Sequence, residues 1–155
     1  MTVRVQREDF DTAAELERMT AGSTRIGAVV TFSGLVRDFA DAPPDATLRP
    51  QRMTLEHYPG MTERQLEAIV AEAGQRWPLD GCLVIHRYGE LAPGDRIVLV
   101  ITTSAHRQAA FEANAFLVDW LKTKAPFWKL EEQGGDRRWV DAKVSDDEAA
   151  ARWQR

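Results

Sequence analysis

The stretch LKTKAPFWK combines cations and aromatic rings in a way that suits chemistry on an anion. It places Lys122 and Lys124 at the end of a predicted long helix and Lys129 just after the pair Phe127 and Trp128. Lysines in the last turn of a helix also have a purely structural use, because the macrodipole stabilises them by about 0.3 to 1 kcal/mol. An aromatic wall, however, lowers a lysine pKa or strengthens its pull on an anion. Strand alternation sends Phe127 and Lys129 to one face, which favours the functional interpretation.

A second cationic point is TSAHR, where His106 and Arg107 lie in the first turn of the same predicted helix. Unpaired backbone N–H groups at a helix start bind phosphate. Positive side chains there oppose the macrodipole unless an anion is present, so this turn is predicted to bind one. Arg37, which follows a glycine-containing strand, is a third candidate, although alone it would more often be a surface arginine.

Helix geometry separates these two cationic points. His106 and Lys122 are sixteen positions apart, which is about 24 Å along an unbroken helix and too far for one phosphate ester. If both ends serve one ligand, the turn carrying His106 and Arg107 must come from a second copy of the chain. The sequence therefore predicts a homodimer with a pocket shared across its two-fold interface.

Familiar catalytic motifs are missing from the sequence. It contains no phosphate-binding P-loop, no dinucleotide-binding glycine pattern and no nucleophile elbow. His57, His86 and His106 have no metal-ligand spacing, so no metal site is predicted, and His57 and His86 are interpreted as hydrogen-bonded structural imidazoles. The single Cys82 lies in the apolar run CLVIH and is predicted to be a buried thiol.

Strands and helices are predicted to mix without a repeating βαβ pattern, which indicates an α+β fold with an antiparallel or mixed sheet. Capping signatures begin helices at Thr12, Thr62, Ser104 and Ser145, and Pro-Gly-Asp chemistry joins CLVIHRYG to RIVLVITTS as a hairpin. Residues 38–51 contain three prolines and are predicted to form a loop. The predicted strands cover residues 2–6, 26–36, 53–58, 82–89, 96–104, 127–132 and 138–144, and the long helix covers 105–124.

Composition limits the classes of protein to consider. The 155 residues are 44% hydrophobic and 28% charged, which predicts one folded domain over residues 1–155 and excludes a disordered chain. A net charge of -4 gives no general attraction for nucleic acid or an anionic membrane. There is neither a signal-peptide pattern nor an apolar run of membrane-spanning length, so a cytoplasmic location is expected.

Several long strings, in register, resemble the large, catalytic subunit of molybdopterin synthase. The resemblance extends from about Gly27 to the terminal helix. The strings are GAVVTFSGLVR, LEHYPGMTE, VIHRYGELAPGD, TSAHRQAAFEA and LKTKAPFWK.

The resemblance implies an α/β hammerhead fold and a reaction that adds sulfur to cyclic pyranopterin monophosphate, giving molybdopterin. The sulfur would come from the C-terminal Gly-Gly thiocarboxylate of a small ubiquitin-like carrier. One carrier would bind at each outer end of a homodimer, which makes a heterotetramer. No metal or organic cofactor is expected in this step.

By position, the resemblance implies that Lys122 and Lys129 are catalytic and that Phe32 and Val118 line the pocket. Leu35 and Leu130 occupy positions where the family's commonest pattern has basic residues. Substrate contacts at these two positions would therefore be made by the backbone. The substrate-binding positions that the resemblance implies are Leu35, Val36, Arg37, His106, Arg107, Lys122, Lys129, Leu130, Glu131 and Lys143.

Two other functions remain alternatives at this point. A non-catalytic adaptor could use the lysines to bind the terminal carboxylate of a ubiquitin-like protein, and it would form a complex without turnover. A binder of single-stranded nucleic acid could use LKTKAPFWK as a basic and aromatic platform. The net acidity of the chain argues against the second alternative.

Overall fold

A computed structural model describes residues 1–38, 51–133, 136–139 and 144–154. Its eight strands and four helices form an α+β arrangement with one mixed and one antiparallel sheet, as predicted. In chain order, the elements are β1 (Thr2–Gln6), α1 (Thr12–Thr20), β2 (Ala28–Leu35), β3 (Gln51–His57), α2 (Met61–Arg76), β4 (Gly81–Arg87), β5 (Gly89–Leu91), β6 (Arg96–Ser104), α3 (Arg107–Thr123), β7 (Phe127–Gln133), β8 (Asp136–Trp139) and α4 (Val144–Ala151).

The first sheet has the strand order β1-β4-β6-β2. Its β1 runs parallel to β4, and the other two pairings are antiparallel. The predicted hairpin of β4 and β6 is confirmed, with His86 opposite Val98, although the short β5 between them joins the other sheet. Gly34 is also opposite Val98, and the register shifts between Gly34 and Leu35.

Both faces of this sheet are covered, which explains why its central strands read as continuous apolar runs. On one face, Leu83, Ile85, Leu99 and Ile101 form a cluster with Phe10, against which Leu16 and Met19 of α1 pack. The opposite face carries the larger cluster with α2 and α3. Its buried strand residues include Cys82, Val84, Val98 and Val100.

Two buried polar side chains set the direction of α3 across the first sheet. The Asn114 amide donates to the carbonyl oxygens of Val30 and Val100, each at 3.1 Å. The Thr102 hydroxyl donates to the Ala110 carbonyl at 2.7 Å. Since residue 110 meets residue 102 and residue 114 meets residue 100, α3 runs antiparallel to β6. The C-terminal end of α3 therefore returns to the end of the sheet where β6 begins.

The second sheet has the order β5-β3-β7-β8 and is antiparallel throughout. Leu55 is opposite Lys129, and His57 is opposite Phe127, so the predicted placement of Phe127 and Lys129 on one face is confirmed. Leu55 on this face is buried in the larger core cluster. The face is therefore the one that meets the rest of the protein.

All four predicted helix starts differ from the structure by one or two residues, and the last, Ser145, lies inside α4, which begins at Val144. Asp11, and not Thr12, caps α1, because its carboxylate accepts from the Ala14 N–H at 3.1 Å. The α2 helix begins after Gly60, whose φ of 84° suits glycine. The α3 helix begins at Arg107 with His106 as its N-cap residue. Ser104 instead ends β6, and its hydroxyl donates to the Pro78 carbonyl at 2.7 Å while accepting from the His106 N–H at 3.4 Å. Residue 104 can locally adopt either a helix-capping or a β-strand conformation, and its pairing in the first sheet favours the strand.

Candidate active site

The two predicted catalytic lysines both act electrostatically on one buried histidine. Lys122 lies in the last turn of α3 and Lys129 lies in β7, and both side chains are exposed. Both ammonium charges lower the pKa of His86, which lies next to the last residue of β4 and is only 7% exposed. Two elements that are distant in sequence therefore bring their cations within electrostatic range of one imidazole.

His86 is held in a defined orientation. Its ring stacks on Phe127 with 3.9 Å between the ring centroids and 18° between the planes. Its Nδ1 lies 2.9 Å from the Arg87 carbonyl oxygen. Burial and then the charges of Lys122, Lys129 and His57 lower the pKa of His86 to about 4, against the opposing effect of that backbone bond. At neutral pH the ring is therefore uncharged, and Nδ1 carries the hydrogen because a carbonyl only accepts.

A shell of aromatic side chains surrounds the first residues of β7. The His57 ring lies 4.2 Å from Tyr88 and 6.1 Å from Phe127, measured between centroids. Its Nε2 lies 3.6 Å from a Glu63 carboxylate oxygen. On the other side of the strand, Trp128 packs edge-on against Tyr58 at 4.4 Å. Aromatic rings therefore pack on both faces of β7 at its first residues, with Phe127 on the face of Lys129 and Trp128 on the opposite face.

Three further predicted residues lie between the middle of the first sheet and this end of it. Phe32 is opposite Val100 in β2, and Val118 follows Asn114 by one helical turn. Both side chains are half-buried against the larger core cluster. Arg37 follows the end of β2, where it borders a depression lined also by Val36, Asp38, Pro93 and Gly94. Because α3 runs antiparallel to β6, the end of β2 and the Lys122 turn lie at the same end of the sheet.

His106 and Arg107 lie at the opposite end of α3, and both are exposed. The helix between them and Lys122 is unbroken, so one chain does not bring them together. Gly27 fits this corner closely, since its N–H donates to the Ser104 carbonyl at 3.0 Å. A methyl group on Gly27 would lie 2.2 Å from the Ala105 carbonyl oxygen. This close approach of two backbone segments leaves room only for glycine at residue 27.

The remaining predicted positions are divided between surface and core. Leu35 is 56% exposed, whereas Val36 is 7% exposed and belongs to the larger core cluster. Leu130 and Glu131 are half-buried in β7, and Leu130 is opposite Thr54. Lys143 lies outside the described residues, as do residues 39–50 of the predicted loop.

The sequence predicted His86 only as a hydrogen-bonded structural imidazole and did not indicate that the charges of two lysines would act on it. The hydrogen bond is present, but the neighbouring lysines are added by the tertiary structure. The spacing of the three histidines gave no signal for it. Within the residues that the structure describes, no group of three or more His, Cys, Asp or Glu is placed to hold a metal ion. Among the same residues, no helix is long and apolar enough to cross a membrane.

Comparison with known proteins identifies the family of this chain. A family model described as MoaE protein matches residues 5–124. The chain belongs to the MoaE family. A MoaE relative from Mesorhizobium japonicum, named molybdopterin synthase catalytic subunit, is 54% identical over 99% of this chain and 93% of its own length.

Solved MoaE structures share the fold over nearly the whole chain. The molybdopterin biosynthesis MoaE protein from Burkholderia ambifaria is 48% identical, covers 99% of both chains and has a TM-score of 0.80. The molybdopterin synthase from Staphylococcus aureus is 29% identical, covers 89% of this chain and 96% of its own, and has a TM-score of 0.77. The predicted membership of the molybdopterin synthase catalytic subunit family is confirmed.

Proposed function

We propose that this chain converts cyclic pyranopterin monophosphate to molybdopterin with sulfur from the C-terminal thiocarboxylate of a small ubiquitin-like carrier. The observation that carries the proposal is that Lys122 and Lys129, from two different elements, both lie within electrostatic range of the buried His86. Full-length relatives named molybdopterin synthase catalytic subunit support the reaction class. The words "catalytic subunit" in those names also support a second kind of subunit as partner.

Both lysines act by stabilising negative charge. One ammonium orients the thiocarboxylate and stabilises the oxyanion that forms as sulfur leaves, and the other stabilises the charge released when the cyclic phosphate opens. The two side chains are exposed in the isolated chain, where water weakens such interactions. A carrier tail and a pterin laid over them would exclude that water and strengthen the attraction severalfold.

The phosphate of the substrate would be held by cations from two chains. Arg37 lies at the lysine end of the first sheet, whereas His106 and Arg107 lie about 24 Å away along α3. The first turn of α3, RQAA, contains no acidic residue that would neutralise an anion site. A second copy in a two-fold dimer would bring its own helix start to the first copy's lysines, and a carrier at each outer end would complete a heterotetramer.

The compartment that we propose is the cytoplasm. Cys82 is the single cysteine of the sequence and its thiol is buried. A chain without disulfides suits a reducing environment, which would also preserve a thiocarboxylate from oxidation.

Replacement of Lys122 tests the reaction. With thiocarboxylated carrier and the cyclic pterin, Lys122→Ala should form the dithiolene product about 100-fold or more slowly than the unmodified chain. Binding of the carrier, measured by calorimetry, should remain detectable. Lys124→Ala is the matched control, because Lys124 is equally a lysine at the end of α3 but borders a different depression, with Trp120 and Trp153. It should keep its activity.

The outcomes separate the enzyme from the adaptor. Carrier binding without any product from the unmodified chain would leave only the adaptor function. Near-normal turnover by Lys122→Ala would remove this lysine from the mechanism. Sedimentation that shows only monomers at micromolar concentration would contradict the shared phosphate site, and activity restored by mixing Lys122→Ala with Arg107→Ala chains would support it.

A further inference from the structure

The junction between α3 and β7 connects the two lysines by only a few residues. Lys122 lies in the last helical turn, Ala125 and Pro126 form the link, and Phe127 begins the strand that carries Lys129. A shift or rotation of this link would therefore change the distance between the two ammonium groups. The contacts that restrain this link therefore determine whether both ammonium groups can bind the same substrate.

The link has one anchor made of hydrogen bonds. The Thr62 hydroxyl, at the start of α2, donates to the Pro126 carbonyl at 3.3 Å and accepts from the Tyr58 N–H at 3.1 Å. The Phe127 N–H donates to the Ala125 carbonyl at 2.8 Å. These bonds and the pairing of Phe127 with His57 of β3 restrain the backbone, whereas the side chain of Phe127 is held by packing.

The second anchor is the stack of His86 on Phe127. The two rings lie 3.9 Å apart and are nearly parallel at 18°, and the bond from Nδ1 to the Arg87 carbonyl at 2.9 Å prevents the imidazole from turning. His86 lies next to the last residue of β4, and the preceding residues of this strand, Val84 and Ile85, are 1% and 0% exposed. The ring is thus a rigid part of the core that reaches the base of the site.

We propose that His86 is a positioning residue of this site, whose ring, stacked on Phe127, fixes the start of β7 and with it the position of Lys129 relative to Lys122. The inference rests on the proposed function of the two lysines. It extends that function by assigning a task to a buried group that touches neither carrier nor substrate. An uncharged aromatic ring also suits the position, because a third positive charge there would repel both ammonium groups.

Two substitutions distinguish the contribution of the aromatic ring of His86 from the contribution of its polarity. His86→Gln keeps a polar side chain but removes the ring, whereas His86→Phe keeps a ring that can stack on Phe127. Displacement of a reacting group by about 1 Å can cost up to about 100-fold in rate, so kcat should fall about 10- to 100-fold in His86→Gln. The KM for the carrier should change much less than kcat. His86→Phe should retain about tenfold more activity than His86→Gln.

A double-substitution cycle tests whether the stack acts as a unit. Phe127→Leu removes the other ring and should lower kcat as His86→Gln does, and the double variant should be no worse than either single variant. Ile85→Val is the control for general destabilisation, because Ile85 is buried in the same strand but faces the α1 side. It should lose about 1 kcal/mol of stability and keep its kcat.

A measurement without substrate separates this inference from the proposed function. The lysines are reductively methylated with ¹³C-formaldehyde, and the resonances of Lys122 and Lys129 are assigned with Lys122→Arg and Lys129→Arg chains. His86→Gln should shift both resonances, whereas Ile85→Val should leave them in place. If the unmodified chain makes no product, the proposed function fails and the resonances alone decide on His86. Wild-type turnover or unshifted resonances in His86→Gln, or additive losses in the cycle, would overturn the positioning role.

Discussion

Acidification should destabilise this protein before its carboxylates are protonated, and His86 is the reason. Burial, followed by the charges of Lys122, Lys129 and His57, lowers the pKa of His86 to about 4 in the folded chain. In the unfolded chain the imidazole returns to its ordinary pKa of about 6.5. Between these two values the unfolded state binds a proton that the folded state does not. The free energy of unfolding therefore falls as pH decreases through this window.

The size of the effect follows from the shift. One pKa unit corresponds to about 1.4 kcal/mol, so a fall from about 6.5 to about 4 is worth roughly 3 kcal/mol in total. Most of this is lost before the pKa of the folded state is reached. Between pH 7 and pH 5 we expect a loss of about 2 kcal/mol from this residue. The carboxyl groups of Asp9 and Glu15, whose pKa values are lowered by bonds to Arg96 and Arg4 respectively, act only at lower pH.

Urea unfolding at several pH values measures this loss. The free energy of unfolding is determined for the unmodified chain and for His86→Phe, at one protein concentration and between pH 7 and pH 5. The difference between the two chains removes the contributions of every other titrating group. This difference should change by about 2 kcal/mol across the window, because only the unmodified chain carries the buried imidazole. Equal pH slopes in the two chains would show that His86 is not the group responsible.

Three further predictions concern buried groups elsewhere. Asn114→Asp should destabilise the fold by about 3 kcal/mol or more at pH 7 in urea unfolding, because a carboxylate would face the carbonyl oxygens to which Asn114 now donates; a loss below 1 kcal/mol would contradict those bonds. Trp153→Phe should cost about 1 kcal/mol in the same assay, since the Trp153 Nε1–H donates to Asp119 at 2.6 Å, and an unchanged midpoint would argue against this bond. Burial raises the pKa of the Cys82 thiol to about 12, so iodoacetamide at pH 8 should label it only after urea is added; rapid labelling of the folded chain would refute its burial.

Local patterns predicted most of the elements but not all of their ends. The apolar runs of β4 and β6, the turn between them and the long α3 were each visible in the sequence. The helix starts were less secure, since Thr12, Thr62 and Ser104 all carry hydroxyls that can cap. The Ser104 hydroxyl bonds the Pro78 carbonyl instead, and that partner is 26 residues away in the chain. A capping pattern shows which hydrogen bonds a side chain can form with nearby backbone. Whether those bonds form depends on competing partners that are distant in the chain.

The site was predictable in its chemistry and in one element of its geometry. The residue types and the strand alternation of β7 indicated an anion site with Phe127 and Lys129 on one face, and helix length indicated that His106 lies far from Lys122. These are consequences of periodicity, which a sequence carries by itself. The stack of His86 on Phe127 is different, because β4 and β7 belong to different sheets and meet only through the packing of the larger core cluster.

The amino-acid sequence alone therefore determined the family, the α+β class and the cations available for an anionic substrate, since each depends on residue types and short-range spacing. Only the tertiary structure decided that the charges of Lys122 and Lys129 both act on a buried, uncharged histidine. The physical reason is that the burial and the charges that lower the pKa of His86 come from α3, β3 and β7. The sequence around residue 86 contains no local pattern that predicts the approach of three other elements.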